Sequence, residues 1–413
     1  MRLGIISPLF FKMRGGAERF TAALAGAMLE RGHEVVLFHS SDISGRPAYS
    51  LPNRVVVKGM LSYNNRSDLE RVRNMVREAD VDLICLMITG GILSIIPVLY
   101  DSGIPLLITE RMAPIAIECR LLSRTERLIN MGVADAIHLQ SRRYLGSLPQ
   151  SMHPRVAIIP NAVKMQKSTW SCVDASRKCL LCVARLDEYE KQISLLIAAF
   201  SLLANEFPNW DCRICGDGIA YSLYAAEIER LELSDRIKLV GRVEDVNTEY
   251  AHAHLFCLPS AFEGCPNALL EAQSYGVPAV GFASCPGVND VIIDGENGFL
   301  APEMTAESLA ICLRLLMASQ ELRHIMGERS LRLLDRYEPQ MIYGQWEGLF
   351  RSVAACKGYT RLDDYKNIPD IAFVKAVEDK LKYPLTDLKK EKHYGDIAKN
   401  TAKALRSTFL HRK

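Results

Sequence analysis

Short apolar runs alternate with helix-patterned segments from the first residue, and the alternation stops at a polar stretch and then begins again. LGIIS reads as a strand, and after a glycine loop AERFTAALAGAMLERG carries the apolar spacing of an amphipathic helix. HEVVLFHS, VDLICLM, IPLLIT, AIHLQ and VAIIPN continue the strand series. From Lys164 to Arg177 the text turns polar, and LLCVARL, CRICGDG, IKLVGR, LFCLPS and PAVGFAS then restart the series. Strands separated by helices predict parallel sheets covered on both faces. At 413 residues the chain is longer than one hydrophobic core usually fills. The expected fold class is therefore α/β, with two doubly wound, Rossmann-like domains facing across a cleft. Their expected bounds are 1–165 and 166–345, followed by a C-terminal helix and basic tail over 346–413. Ligands of such sheets bind beyond the carboxyl ends of the strands, so the loops there are where chemistry is expected.

Three other readings fall away. A net charge of +2, with no arginine-rich arm, gives no argument for nucleic acid. The pairs Cys179/Cys182 and Cys212/Cys215 have zinc-like spacing, but both sit in strand-like runs, where residues three apart point to opposite faces. No metal site is expected from them. The uncharged run from Leu83 to Tyr100 is long enough to nominate a membrane span, yet Gly90, Gly91 and Pro97 interrupt it. A buried strand, a glycine turn and a short helix account for it better. With no signal-peptide pattern, the twelve cysteines read as reduced thiols of a cytoplasmic protein.

The most informative stretch is PSAFEGCPNALLEAQSYGVPAVGFASCPGVNDVIIDGENGFL, residues 259–300. Seven residues separate Glu263 from Glu271. Between them Gly264, Cys265, Pro266 and Asn267 form a turn leading into a helix that is expected to start near Pro266. The amides of a first helical turn make an anion site, with one carboxylate at its mouth and a second one further along the axis. Taken alone, a turn glutamate and a solvated helix glutamate give the same pair.

The flanking text changes the weight of that pair. The acidic stretch resembles the signature of retaining glycosyltransferases of family 4, which have the GT-B fold. Gly15 and Gly16 in MRGGAERF resemble the family's GGAE-like loop, which the resemblance places over the donor phosphates. VARLDEYEKQISLLIAAF resembles the strand–turn–helix that opens the family's second domain. It offers Arg185 and Lys191 as fixed cations for a departing diphosphate. Here the lysine follows the arginine by six residues, where the family pattern has five. VAIIPNAV resembles the interdomain turn, with Asn161 as a turn former, and CGDGIAYSLYAAEIERL resembles the GDG loop. In IKLVGRVEDVNTEYAHAHLFCLPSAFEG the backbone of Gly241, Arg242 and Val243 is expected beside the nucleotide base. The resemblance spans roughly residues 1–355. In the first domain, GIPLLITERMAP and ADAIHLQS resemble a branch that makes polysaccharides and lipid-linked glycans. Many members carry a histidine after that strand; Glu110 and Arg111 stand here, so no catalytic histidine is carried over. Asp290 likewise stands where glutamate is commoner.

The resemblance implies an acceptor-side first domain and a nucleotide-sugar-binding second one. It implies a retaining, metal-independent transfer, with no cofactor, from a nucleotide-sugar donor (uridine by analogy) to a glycan or lipid-linked acceptor. Glu263, Arg185 and Lys191 are the expected catalytic residues. Glu271, Gly15, Gly16, Gly264 to Asn267 and Gly241 to Val243 are expected to hold substrate, Glu271 through the ribose hydroxyls. Two alternatives share this fold: a non-catalytic nucleotide-sugar-binding subunit, which has less use for both glutamates and both cations, and a sugar-nucleotide epimerase, which needs no acceptor. The broken glycine pattern disfavours a dinucleotide oxidoreductase. In the tail, residues 374–413 carry eleven Lys/Arg against five Asp/Glu. Ile397, Thr401, Leu405 and Phe409 recur every fourth residue among these cations, a pattern suited to the anionic surface of the inner membrane or to packing on the protein.

Overall fold

The computed structural model describes residues 1–11, 15–40, 49–60, 66–88, 95–100, 102–166 and 176–356. The basic tail, and with it the expected membrane-surface helix, lies outside the described residues, as does most of the polar stretch before Arg177. The described residues fall into two compact units, one of Met1–Ile159 together with residues 343–356, the other of Pro160–Ile342.

The first unit is built on strands β1 (Arg2–Ile6), β2 (Glu34–Ser40), β3 (Val56–Met60), β4 (Leu83–Ile88), β5 (Leu106–Glu110), β6 (Ala136–Leu139) and β7 (Val156–Ile158). They form one sheet in the order β3-β2-β1-β4-β5-β6-β7, and every pairing is parallel. The second unit contains β8 (Lys178–Val183), β9 (Trp210–Cys215), β10 (Ile237–Gly241), β11 (Leu255–Leu258), β12 (Ala279–Phe282) and β13 (Gly298–Ala301). Its order is β10-β9-β8-β11-β12-β13, again all parallel. The two Rossmann-like units thus repeat one winding, and each reverses direction once, at β1/β4 in the first and at β8/β11 in the second. A reversal of this kind leaves a crevice at the carboxyl ends of the two strands concerned.

The Leu83–Tyr100 run resolves into strand β4 and, beyond residues that lie outside the description, the short Ile96–Tyr100 helix. Among the described residues no helix is long and apolar enough to cross a membrane. Cys179 and Cys182 lie on β8, and Cys212 and Cys215 on β9. Burial pushes the Cys179, Cys182 and Cys215 thiols up to about 12, which keeps them protonated and unreactive.

The Pro339–Ala354 helix carries the chain back from the second unit to the first. Trp346, Phe350 and Val353 on it are buried in the first unit. The Trp346 ring packs on His138 with centroids 4.4 Å apart and on Phe20 at 5.3 Å. His138 is itself fully enclosed. Its Nδ1 lies 2.8 Å from Thr109 Oγ1 and its Nε2 lies 2.8 Å from the Ile159 carbonyl. A carbonyl only accepts, so Nε2 carries the proton and Nδ1 accepts from the threonine. Burial, reinforced by the nearby Arg111 charge, pushes the His138 pKa down to about 3 and keeps the ring neutral.

Candidate functional site

The loops leaving β8 and β11 meet at the reversal point of the second sheet. β8 ends at Val183, so Arg185 belongs to the loop and does not end the strand as its sequence context suggested. Asp187 then caps a single helical turn, Glu188–Lys191, by accepting from the Tyr189 and Glu190 amides. Gln192 follows in the left-handed region at φ 49° and starts the Ile193–Leu203 helix. The turn ends with Lys191 aimed at the neighbouring loop, and the Ala261 amide donates to the Glu190 carbonyl at 2.9 Å, binding the two loops together.

Lys191 Nζ donates to Glu263 Oε1 at 2.6 Å, and Ser260 Oγ donates to the same oxygen at 2.7 Å. The pair is largely enclosed, with 14% of the lysine side chain and 11% of the glutamate exposed. Burial works against a charge on Lys191, but the carboxylate beside it outweighs that and lifts its pKa above the ordinary lysine value. Arg185 is 53% exposed and forms an ion pair with Glu190. The structure therefore brings Lys191 onto Glu263, while Arg185 reaches outward from the same loop.

Beyond Glu263, Pro266 precedes the helix and Asn267 is its first residue; the helix runs to Ser274. The Leu269 and Leu270 amides both return to the Pro266 carbonyl. Helix geometry leaves the Asn267 and Ala268 amides without intrahelical partners, the arrangement that suits an anion. Asn267 and Glu271 share one stripe of this helix, four residues apart, with Leu269, Leu270, Ala272 and Gln273 buried on the other side. Glu271 Oε2 accepts from the Tyr250 hydroxyl at 2.9 Å. Gly287, at φ 87°, lets the Cys285–Gly287 loop close on this turn: a Cβ there would stand 2.8 Å from the Gly264 carbonyl.

Gly241, Arg242 and Val243 lie at the carboxyl end of β10 in the same sheet. Gly241 ends β10 at φ 75° and its carbonyl accepts from the Gly216 amide at 2.7 Å. Arg242 is exposed and Val243 half-buried against the core. The glycines of the GDG loop are steric necessities, since a Cβ at Gly216 would fall on the Ala184 carbonyl and one at Gly218 on the Leu186 backbone. In the first unit, Gly15 precedes the Gly16–Glu30 helix, and its amide donates to Glu18 at 3.0 Å. Burial raises the Glu18 pKa, against the pull of these amide contacts and of Arg111. Glu110 is a bidentate partner of the fully buried Arg127, at 2.6 and 2.8 Å, which gives it a structural place. The Arg111 guanidinium lies 3.5 Å over the Phe20 ring.

Two family models match the chain: Glycosyltransferase Family 4 over residues 14–167 and Glycosyl transferases group 1 over residues 172–332. Together they take in most of the sequence, one for each sheet. The chain belongs to the family 4, group 1 glycosyltransferases. This glycosyltransferase is 24% identical over 352 residues to an uncharacterized glycosyltransferase of Haemophilus influenzae, covering 81% of this chain and 96% of that one. It is 23% identical over 356 residues to the GalNAc-alpha-(1->4)-GalNAc-alpha-(1->3)-diNAcBac-PP-undecaprenol alpha-1,4-N-acetyl-D-galactosaminyltransferase of Campylobacter jejuni, covering 82% and 96%. Among solved structures, HepE of Anabaena in complex with UDP and glucose aligns with a TM-score of 0.70 at 16% identity, over 85% of this chain and all of that one. That likeness fixes the GT-B fold.

Three residues that touch the candidate site were not assigned to it from the sequence. Ser260 and Tyr250 each donate to one of the two signature glutamates. Asn161, expected only to shape a turn, donates through Nδ2 to Asn267 Oδ1 at 2.7 Å and so fastens the helix mouth. Its position in the IPN motif was the available signal; Tyr250 and Ser260 had none beyond proximity to the signature.

Proposed function

We propose that this glycosyltransferase moves a sugar from a nucleotide-sugar, uridine-based by analogy with its relatives, to a glycan or lipid-linked acceptor with retention at the anomeric carbon. The observation that carries the reading is the Lys191–Glu263 pair beside the Asn267–Ser274 helix mouth, at the reversal point of the second sheet. A diphosphate leaving group gathers negative charge as it departs. Lys191, Arg185 and the Asn267 and Ala268 amides supply fixed positive charge for it, and in this account they take the part a metal ion plays elsewhere. Gly15 and Gly16 contribute their loop over the phosphates.

In the reaction the bond from the anomeric carbon to the phosphate oxygen breaks and its electron pair stays with the diphosphate. The acceptor oxygen bonds to the same face of the carbon, and its proton passes to the leaving phosphate oxygen. Glu263, held by Lys191 and Ser260, orients sugar hydroxyls and offsets oxocarbenium charge. Glu271 takes the ribose hydroxyls, with Gly264, Cys265 and Pro266 shaping the turn between the two acids and the Gly241–Val243 backbone beside the base. The Campylobacter relative named above acts on an undecaprenol-linked acceptor, and a phosphatidyl-myo-inositol mannosyltransferase of Mycolicibacterium smegmatis is 23% identical over 86% of this chain. These relatives, with the basic tail composition, support a cytoplasmic enzyme that works peripherally at the inner membrane face in surface polysaccharide synthesis.

The test is hydrolysis of α-linked nucleotide-sugars without acceptor, followed by proton magnetic resonance of the released sugar. Retention predicts that the α-anomer forms first. First formation of the β-anomer contradicts it, and isomerised donor without release identifies an epimerase.

A further inference from the structure

The hydroxyl that holds Glu271 comes from one of the most deeply buried tyrosines in the second unit. Tyr250 has no exposed surface. Its ring sits between Phe256 on β11, at 6.1 Å, and Tyr275, at 5.9 Å, and its hydroxyl reaches Glu271 Oε2 at 2.9 Å. The Val246–His252 helix that carries it is capped by Asp245, which accepts from the Asn247 amide at 3.0 Å. Asn247 in turn accepts from the Tyr275 hydroxyl at 3.1 Å. That helix follows directly on the Gly241–Val243 loop. One packed assembly therefore joins the loop assigned to the base with the carboxylate assigned to the ribose.

A glutamate side chain has three torsions to freeze when it binds a ligand, and a fixed donor removes that cost beforehand. We infer that Tyr250 is a positioning residue of the nucleotide site: it aims the Glu271 carboxylate at the vicinal 2′ and 3′ hydroxyls of a nucleoside diphosphate. The inference rests on the reading of Glu271 as the ribose ligand. If the tyrosine hydroxyl only satisfied itself in the core, losing it would change stability without regard to the sugar of the ligand.

The experiment measures calorimetric affinities of the full chain for uridine, guanosine and adenosine diphosphates and for the 2′,3′-dideoxy form of whichever binds best. Wild type, Tyr250→Phe and Glu271→Gln are compared, with thermal melts as folding controls. Tyr250→Phe keeps the ring and its packing. It is expected to weaken the ribonucleotide about three- to tenfold, the scale of one hydrogen bond to a charged group, and to leave the dideoxy analogue unchanged. Equal weakening of both ligands, or of neither, overturns the inference. If Glu271→Gln abolishes the ribose preference while Tyr250→Phe retains it, the positioning role alone fails. If Glu271→Gln retains the preference, or no diphosphate binds wild type, the donor-site reading fails and takes the inference with it.

Discussion

Lys191 Nζ stands 2.6 Å from Glu263 Oε1, although they are 72 positions apart in the sequence. The two loops that carry them leave β8 and β11, neighbouring strands on either side of the reversal in the second sheet. The cation assigned to the diphosphate and the carboxylate assigned to the sugar are thus one ion pair, joined by Ser260. Its enclosure has an energetic consequence for any variant.

A solvent-exposed Lys191–Glu263 pair would lose activity on substitution without losing stability. The enclosed pair predicts both. Lys191→Ala is expected to destabilise the protein by about 1–3 kcal/mol, because it leaves a largely buried carboxylate short of its partner. Glu263→Gln keeps an acceptor for Lys191 and is expected to cost less. The double variant Lys191→Met/Glu263→Gln should regain stability, since neither charge then remains, while staying inactive. Chemical denaturation of the three proteins checks this; additive losses contradict it.

Arg185 should behave differently. Half of its side chain is exposed and its partner Glu190 lies five residues away in the same loop. Arg185→Ala is expected to weaken nucleoside diphosphate binding about tenfold, or ~1.4 kcal/mol, with little change in melting temperature. Unchanged affinity by calorimetry removes Arg185 from the diphosphate site.

The buried histidine predicts a pH dependence. His138 has a folded pKa of about 3 against an ordinary value of 6.5. Between those values the unfolded chain binds the proton and the folded one does not. Its contribution is therefore full above pH 6.5 and is lost as the pH falls through that window. About 2 kcal/mol should disappear between pH 7 and pH 5 on this account. Urea unfolding of wild type and His138→Gln at both pH values tests it. The variant should show a shallower loss, and parallel curves would count against the assignment.

Fixed cations and helix amides also predict survival of activity in EDTA. Complete loss, restored by a divalent ion, contradicts the proposed chemistry.

Much of the fold was legible because central parallel strands are continuous apolar runs. VDLICLM and LFCLPS could be little else, and they became β4 and β11. The strands not read in advance are β3 and β13, each at the edge of its sheet. β3 contains the exposed Val56 and Val57, and β13 is four residues long and opens with a glycine, so neither offers the buried run that marks a central strand. The same division holds in the site. Glu263 and Glu271 could be found because their spacing around a helix start is a local property. That Lys191 meets Glu263, or that Asn161 holds Asn267 across 106 residues, depends on which strands lie side by side. Strand order is set by long-range packing, and no local pattern reports it.

The most direct test of the central claim is the rate of diphosphate release from the preferred nucleotide-sugar by wild type, Glu263→Gln and Glu271→Gln, each checked for folding. The account predicts that each substitution slows turnover at least about tenfold, roughly 1.4 kcal/mol of transition-state stabilisation. Wild-type turnover in both variants would contradict it.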